Sequence, residues 1–343
     1  MSSSKHVRSL TRADTLHSSA LGSVSALTAR EFPLLAGLSI KRVVLKPGAA
    51  REPHWHANAH ELTYCAAGAV LVTVIDNKDA VATFTVAAGQ MFFAANGSLH
   101  GFENLGEEDA VLVVAFSHER PSDFSLRATF GSMTDAVLGN TFGLPAERLA
   151  TVERDRSNPY LVPVVAHPVP DTARFADPHR FDLGEQQPPV DFPYGTARVA
   201  RSQFWPILRN IAMYRIDVPD SGMREVHWHP ETAEMGYVHA GRARMTILDP
   251  DGSVDTYELE PGDVYFIPRG YPHHIEVLDE RISFLIFFDQ PMPGDIGLRL
   301  VGSGVSRPLL AASLGVEPDR LPPFPPIVAD PLIVERINPR DPG

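Results

Sequence analysis

Cysteine is almost missing from this chain. Cys65 is the single one among 343 residues, so no intrachain disulfide can form, and neither an oxidising nor a reducing compartment is excluded. Long apolar runs are missing too. No stretch approaches the ~20 residues of a membrane-spanning helix, and residues 1–30 lack the continuous apolar segment of a secretory signal. Basic residues are outnumbered, 30 Lys and Arg against 42 Asp and Glu. The resulting formal charge of −12 argues against nucleic acid or an anionic membrane as a partner. A small carboxylate substrate stays compatible, because a metal and a few arginines reverse the field locally. A cytoplasmic protein is the expectation. Proline (31) and glycine (25), by contrast, are plentiful, as in turn-rich β proteins.

One stretch is present twice. His54-Trp55-His56-Ala57-Asn58-Ala59-His60-Glu61 returns as His227-Trp228-His229-Pro230-Glu231-Thr232-Ala233-Glu234, at an offset of 173. The same offset carries Arg51-Glu52 to Arg224-Glu225, Gly68 to Gly241, Gly89 to Gly262, Gly97 to Gly270 and His100 to His273. Two modules of one design therefore lie in tandem, in keeping with the length. In a strand His54 and His56 share a face, Glu61 follows a short turn, and His100 arrives from a later strand. Three imidazoles and a carboxylate make a metal site, and the second copy supplies His227, His229, Glu234 and His273. Imidazole and carboxylate suit Mn²⁺ or Fe²⁺ better than a soft-ligand metal would.

Short β-branched runs spaced by turn signals indicate an all-β fold. Strands are expected over 38–45, 70–75, 81–86, 90–94 and 111–116, with turns at Pro47-Gly48 and Asn77-Lys78-Asp79. A helix is expected over 134–142, stopped near Gly143, with a counterpart over 307–314. The expected organisation is a flexible arm (1–30), a first domain (31–150), a Pro-rich connection (151–205), a second domain (206–321) and a tail (322–343).

The motifs resemble those of the cupin superfamily. Gly48, His54, His56, Glu61 and Gly68 fit its first motif; Gly89, Gly97, His100 and Asn104 fit its second, with Ala95 in place of a proline. The second copy fits with His227, His229, Glu234, Gly241, Gly262, Pro268, Gly270 and His273, and departs at Ser221 and Val277. Through the two Arg-Glu-x-His-Trp-His runs and the closing helices the chain is most similar to bicupins of the oxalate decarboxylase type. That resemblance implies two jelly-roll barrels, one Mn²⁺ in each, O₂ as a possible cofactor, and a trimeric or hexameric homo-oligomer. It implies cleavage of a small dicarboxylate, with Arg51 and Arg224 gripping a substrate carboxylate.

Each arginine lies three residues before a ligand, hence on the opposite face of a regular strand, so a bulge near Pro53 or Val226 is required. The family's lid glutamate falls at Asp123, and its second acid on Ile286. Asp123 recurs as Asp295, which fits a turn or cap aspartate as well as a proton donor. Without a placed acid the same metal site can oxidise its substrate instead of decarboxylating it. Two alternatives stand beside this reading: a bicupin dioxygenase acting on a larger organic acid or phenol, and a non-catalytic storage or ligand-sensing bicupin. His60, His239 and His274 read as groups at the rim of a site. His118, His167 and His179 read as surface residues. Glu52 and Glu225 are expected to pair with the adjacent arginines, and Trp55 and Trp228 to point away from the metal.

Overall fold

A computed structural model describes residues 4–13, 15–77 and 80–340. The strands come in antiparallel pairs throughout, and the chain divides into two compact β units. Lys78 and Asp79 of the expected turn lie outside the described residues.

In the first unit a seven-stranded sheet runs in the order Arg180–Asp182, Gln90–Ala94, Glu61–Ala67, Ala110–Phe116, Ser39–Leu45, Gly22–Leu27, Thr15–Ser19. The other sheet runs Asp123–Ser125, Ala49–His56, Leu99–Glu103, Ala69–Asp76, Ala80–Ala87, and Leu161–Pro163 also pairs with Ala49–His56. Neighbours that are distant in sequence are the mark of a jelly roll. Inward-facing Val43, Val72, Val74, Phe84, Leu112 and Val114 build its core. Side chains along each strand alternate between its two faces, which sends these apolar residues to one side.

The second unit repeats the plan strand for strand. Its core holds Ile216, Val238, Ile247, Phe284 and Ile286. Two matched glycines allow close backbone approaches. Gly68 and Gly241 have φ of 71° and 78°, and a Cβ on them would stand 2.6 Å from the Asp109 carbonyl oxygen and 2.0 Å from that of Arg281. The closing helices form as expected, over Asp135–Phe142 and Arg307–Ser313. Thr134 caps the first, accepting from Val137 N, and Gly143 ends it at φ 66°. Leu126–Ser132, capped by Ser125, is a further short helix that no apolar period announces.

The outer boundaries differ from expectation. The described residues of the expected flexible arm, 4–13 and 15–30, contribute the strands Val7–Ser9, Thr15–Ser19 and Gly22–Leu27. Val7–Ser9 pairs with Asp263–Ile267 and belongs to the second unit, whereas Leu10–Glu185 belongs to the first. The segment 151–205 is likewise divided, since Leu161–Pro163 and Arg180–Asp182 serve the first unit and Val190–Phe192 and Gly195–Ala200 the second. In the tail, Ile333–Glu335 pairs with Gly222–Trp228. The repeat is thus longer than its motifs: Val7–Ser9 answers Arg180–Asp182 at 173, and Leu161–Pro163 answers Ile333–Glu335 at 172. Three-residue strands are too short to carry a readable period; the edge on which they dock makes them strands.

Candidate metal centres

The two sequence-predicted ligand sets come together as two buried clusters, His54, His56, Glu61, His100 and His227, His229, Glu234, His273. Within each cluster the ligand atoms lie within 4.8 Å of one another. In the first, Glu61 Oε2 is 2.9 Å from His56 Nε2 and 3.2 Å from His100 Nε2. In the second, Glu234 Oε2 is 2.7 Å from His229 Nε2 and 3.6 Å from His273 Nε2.

The opposite ring nitrogens fix the imidazoles. His54 Nδ1 meets the Glu52 carbonyl oxygen at 2.8 Å and His100 Nδ1 that of Ser98 at 2.9 Å. His227, His229 and His273 do the same with Glu225 (2.7 Å), Gly294 (3.0 Å) and Tyr271 (2.9 Å). A carbonyl oxygen only accepts, so each Nδ1 carries the proton and each Nε2 lone pair faces inward. Burial, then the adjacent arginine and imidazoles, holds His54 and His227 well below the ordinary histidine value. Burial pushes Glu61 and Glu234 up, but the imidazoles around them prevail and both stay well below the ordinary carboxylate value. Neutral imidazoles and a carboxylate are the protonation states that bind a metal. His227 Nε2 and His273 Nε2 are buried without a protein partner, so the donor set fits a hard or borderline divalent ion such as Mn²⁺.

The required bulge is present in both barrels. His100 faces His54 and Phe102 faces Arg51, so three steps on one strand oppose two on its neighbour. His273 faces His227 and Ile275 faces Arg224 in the same way. Arg51 and Arg224 are thereby turned to the ligand face, and both are buried.

Asp123 opens the short strand Asp123–Ser125. Its Oδ1 is 2.8 Å from His56 Nδ1, and its Oδ2 accepts from Lys41 Nζ at 2.6 Å. Burial pushes this carboxyl up, but the Lys41 ammonium and the His56 hydrogen bond pull it well below the ordinary value. Its carboxylate thus contacts one of the sequence-predicted ligands. Asp295, its counterpart, accepts from Arg224 Nη2. Glu52 and Glu225 do not hold the arginines either. Glu52 accepts from Ser125 Oγ (2.6 Å) and Arg127 N (2.7 Å), and Glu225 from Arg299 N (3.2 Å).

Among the remaining histidines, His179 is buried, with Nδ1 2.9 Å from the Phe93 carbonyl oxygen, and is no surface residue. His6, which sequence reading passed over, is its repeat partner, fully buried and bonded alike to Phe266 at 2.8 Å. His167 is exposed and meets Glu103 at 2.8 Å. His60 accepts from Asn96 N at 3.0 Å, at the rim. Trp55 faces away from the metal ligands and stacks on Phe124.

Glu61 and Glu234 are also supported differently. Thr63 Oγ1 donates to Glu61 Oε1 at 2.9 Å, whereas the Tyr265 hydroxyl donates to Glu234 Oε1 at 2.7 Å. The tyrosine ring fills the space that Gly236 leaves, where a Cβ would lie 2.0 Å from it. Sequence reading missed Tyr265 and Lys41, because each acts through a contact formed only across strands; it also missed Thr63, although that residue sits two positions beyond Glu61 on the same strand and so on the same face. Beside the second cluster, Tyr214, Arg224, His229, Glu234, Ile286 and Asp295 line a cavity of about 10 Å³, about enough for one water.

The cupin family model matches residues 9–149 and again 181–320. The chain is a bicupin of the oxalate decarboxylase type. It is 30% identical over 289 residues to the oxalate decarboxylase OxdC of Bacillus subtilis, covering 81% of this chain and 74% of that protein. An oxalate decarboxylase of Arthroderma benhamiae is 24% identical over 326 residues, 84% of this chain and 75% of that one. A solved structure of the Bacillus enzyme, from work on its Mn(II) centres, superposes on this bicupin with a TM-score of 0.84 at 26% identity. That match covers 96% of this chain and 89% of the other. Germin-like protein 9-2 of Oryza sativa, described as putative, matches over 123 residues at 34% identity, 35% of this bicupin and 58% of that protein.

Proposed function

We propose that this bicupin is a manganese enzyme that breaks the carbon–carbon bond of oxalate. The observation that carries the reading is a buried arginine with an unpartnered donor, Arg51 Nη2, beside a closed set of three imidazoles and a carboxylate. His54, His56, His100 and Glu61 would hold one Mn²⁺, and His227, His229, Glu234 and His273 the other. When bound, the metal supplies Lewis-acid and one-electron redox chemistry together with O₂. The protein supplies orientation. The Arg51 guanidinium offers a planar donor to a substrate carboxylate, and its burial keeps water from competing for it.

As a decarboxylase the protein would convert hydrogen oxalate into formate and CO₂, breaking C–C and forming C–H. Its relatives of the same architecture support this outcome. A second reading, oxidation of oxalic acid by O₂ to two CO₂ and H₂O₂, is favoured by Asp123. That carboxylate is already engaged by Lys41 and His56 and carries no proton to give to carbon. Ile286, where the family's second acid would fall, is apolar. Product analysis of Mn-loaded protein with oxalate in air at mildly acidic pH separates the two. Formate with CO₂ establishes the decarboxylase, peroxide without formate the oxidase, and neither product sinks both. Exposed Leu298, Leu309, Leu314 and Phe324 around the closing helix support a homo-oligomer, which light scattering on the purified chain tests.

A further inference from the structure

The two barrels are each other's control. Arg51 and Arg224 occupy equivalent positions, and each donates Nη1 to a backbone carbonyl: Tyr160 at 3.1 Å and Leu332 at 2.6 Å. Tyr160 and Leu332 are themselves equivalent, both held at positive φ, 59° and 65°. The two arginines differ at Nη2. That of Arg224 donates to Asp295, so both of its terminal nitrogens have an acceptor. That of Arg51 has no hydrogen-bond partner, although the residue is 3% exposed and Asp123 is at hand. The nearest Asp123 oxygen is 3.6 Å away, beyond hydrogen-bond reach.

The cause is one substitution between the repeats. Position 41 is lysine and its equivalent, position 214, is tyrosine. Both side chains pack on equivalent phenylalanines: Lys41 Nζ lies 4.7 Å from the Phe116 ring centre, and the Tyr214 ring 4.9 Å from that of Phe288. The lysine takes Asp123 Oδ2 at 2.6 Å while His56 takes Oδ1 at 2.8 Å. A tyrosine offers no such charge, and Asp295 turns to the arginine instead.

We propose that Lys41 is a positioning residue for substrate: by holding Asp123 it leaves Arg51 Nη2 free for a carboxylate of oxalate at the N-terminal site. The lysine also gives that site one more positive charge than its counterpart, which suits an anionic substrate. This inference rests on the reading of Arg51 as the substrate clamp.

The test substitution is K41Y, which the second barrel already accommodates, with K41M as an independent variant. A crystal structure of either variant is expected to place Asp123 within hydrogen-bond distance of Arg51 Nη2. In steady-state assays of the Mn-loaded full chain, K41Y is expected to raise KM for oxalate about tenfold or more. Its kcat is expected to change less, and its metal content to stay at two per chain. Adding Asp123→Asn to K41Y removes the competing carboxylate and is expected to bring KM back toward wild type. The inference is overturned if Asp123 Oδ2 stays beyond hydrogen-bond distance of Arg51 Nη2 in both variant structures. It is equally overturned if KM is unmoved, or if the double variant binds oxalate no better than K41Y. Wild-type protein that neither binds nor turns over oxalate defeats the functional reading on its own. The position of Asp123 in the variant structures still decides for or against the lysine's hold on it.

Discussion

At the scale of single residues, the repeats solve the same problem with different atoms. Glu61 needs a donor for its outer oxygen and obtains Thr63; Glu234 obtains Tyr265 through the gap at Gly236. Removing one leaves a buried carboxylate oxygen unmatched, at a cost of ~1–3 kcal/mol. Tyr265→Phe is therefore expected to weaken the C-terminal metal by about 10- to 100-fold, and to leave the N-terminal one unchanged. Manganese titration with two resolvable sites reads this directly. Glu225 supplies a pH test. Its Oε1 and Asp330 Oδ2 lie buried over Gly297 with no other donor, and burial together with Asp330 pushes Glu225 up to about 8. The folded chain thus keeps a proton that the unfolded chain loses near 4.5. Stability from this group is greatest at and below that value and falls as pH rises towards about 8. Melting curves of metal-free protein should show a larger drop in Tm between pH 5 and 8 for wild type than for Glu225→Gln. Equal drops would remove Glu225 as the source.

At the scale of elements, backbone geometry decides which changes are tolerated. Gly241 and Gly143 both lie at positive φ, but a Cβ on Gly241 meets the Arg281 carbonyl whereas one on Gly143 meets nothing within 4 Å. Gly143→Ala should cost about 1 kcal/mol, the penalty of the left-handed region alone. Gly241→Ala should cost several times as much and lower Tm accordingly, as differential scanning calorimetry would record.

Much of this level was legible in the sequence. Barrel strands, closing helices and all eight ligands followed from short β-branched runs and from one offset. Even the bulge followed, because Arg51 could reach the ligand face no other way. What escaped was whatever depends on partners in other strands. The grip of Lys41 on Asp123 has no local signature, and the capping roles of Glu52 and Glu225 need Ser125 and Arg299 beside them. Val7–Ser9 and Arg180–Asp182 are too short and too polar to announce themselves.

At the scale of the molecule, the chain cannot be cut once to yield its two units, because the segment ending at Ser9 belongs with Gln186–Phe204 and the residues from Ala212 onward. Removing residues 2–9 should lower the stability of the C-terminal unit and spare the other. Hydrogen exchange should then quicken across Asp263–Ile267, the strand that loses its partner, while Glu61–Ala67 keeps its protection. Uniform loss of protection would contradict the assignment.

That pairing also sets a problem of timing. A ribosome adding ~5–20 residues per second releases Ser9 roughly 13–50 s before Asp263. Gln90–Ala94 emerges much earlier and offers an edge of the same design, reserved for Arg180–Asp182. Nor does the histidine anchor tell the two edges apart, since His6 and His179 make the same bond to equivalent carbonyls. Lys5 does tell them apart. It faces Asp249 and Asp255, and where Asp249 has an acidic equivalent in Asp76, the equivalent of Asp255 is Ala82. One carboxylate at the end of a hairpin thus distinguishes the edge that takes Val7–Ser9 from the edge at Gln90–Ala94.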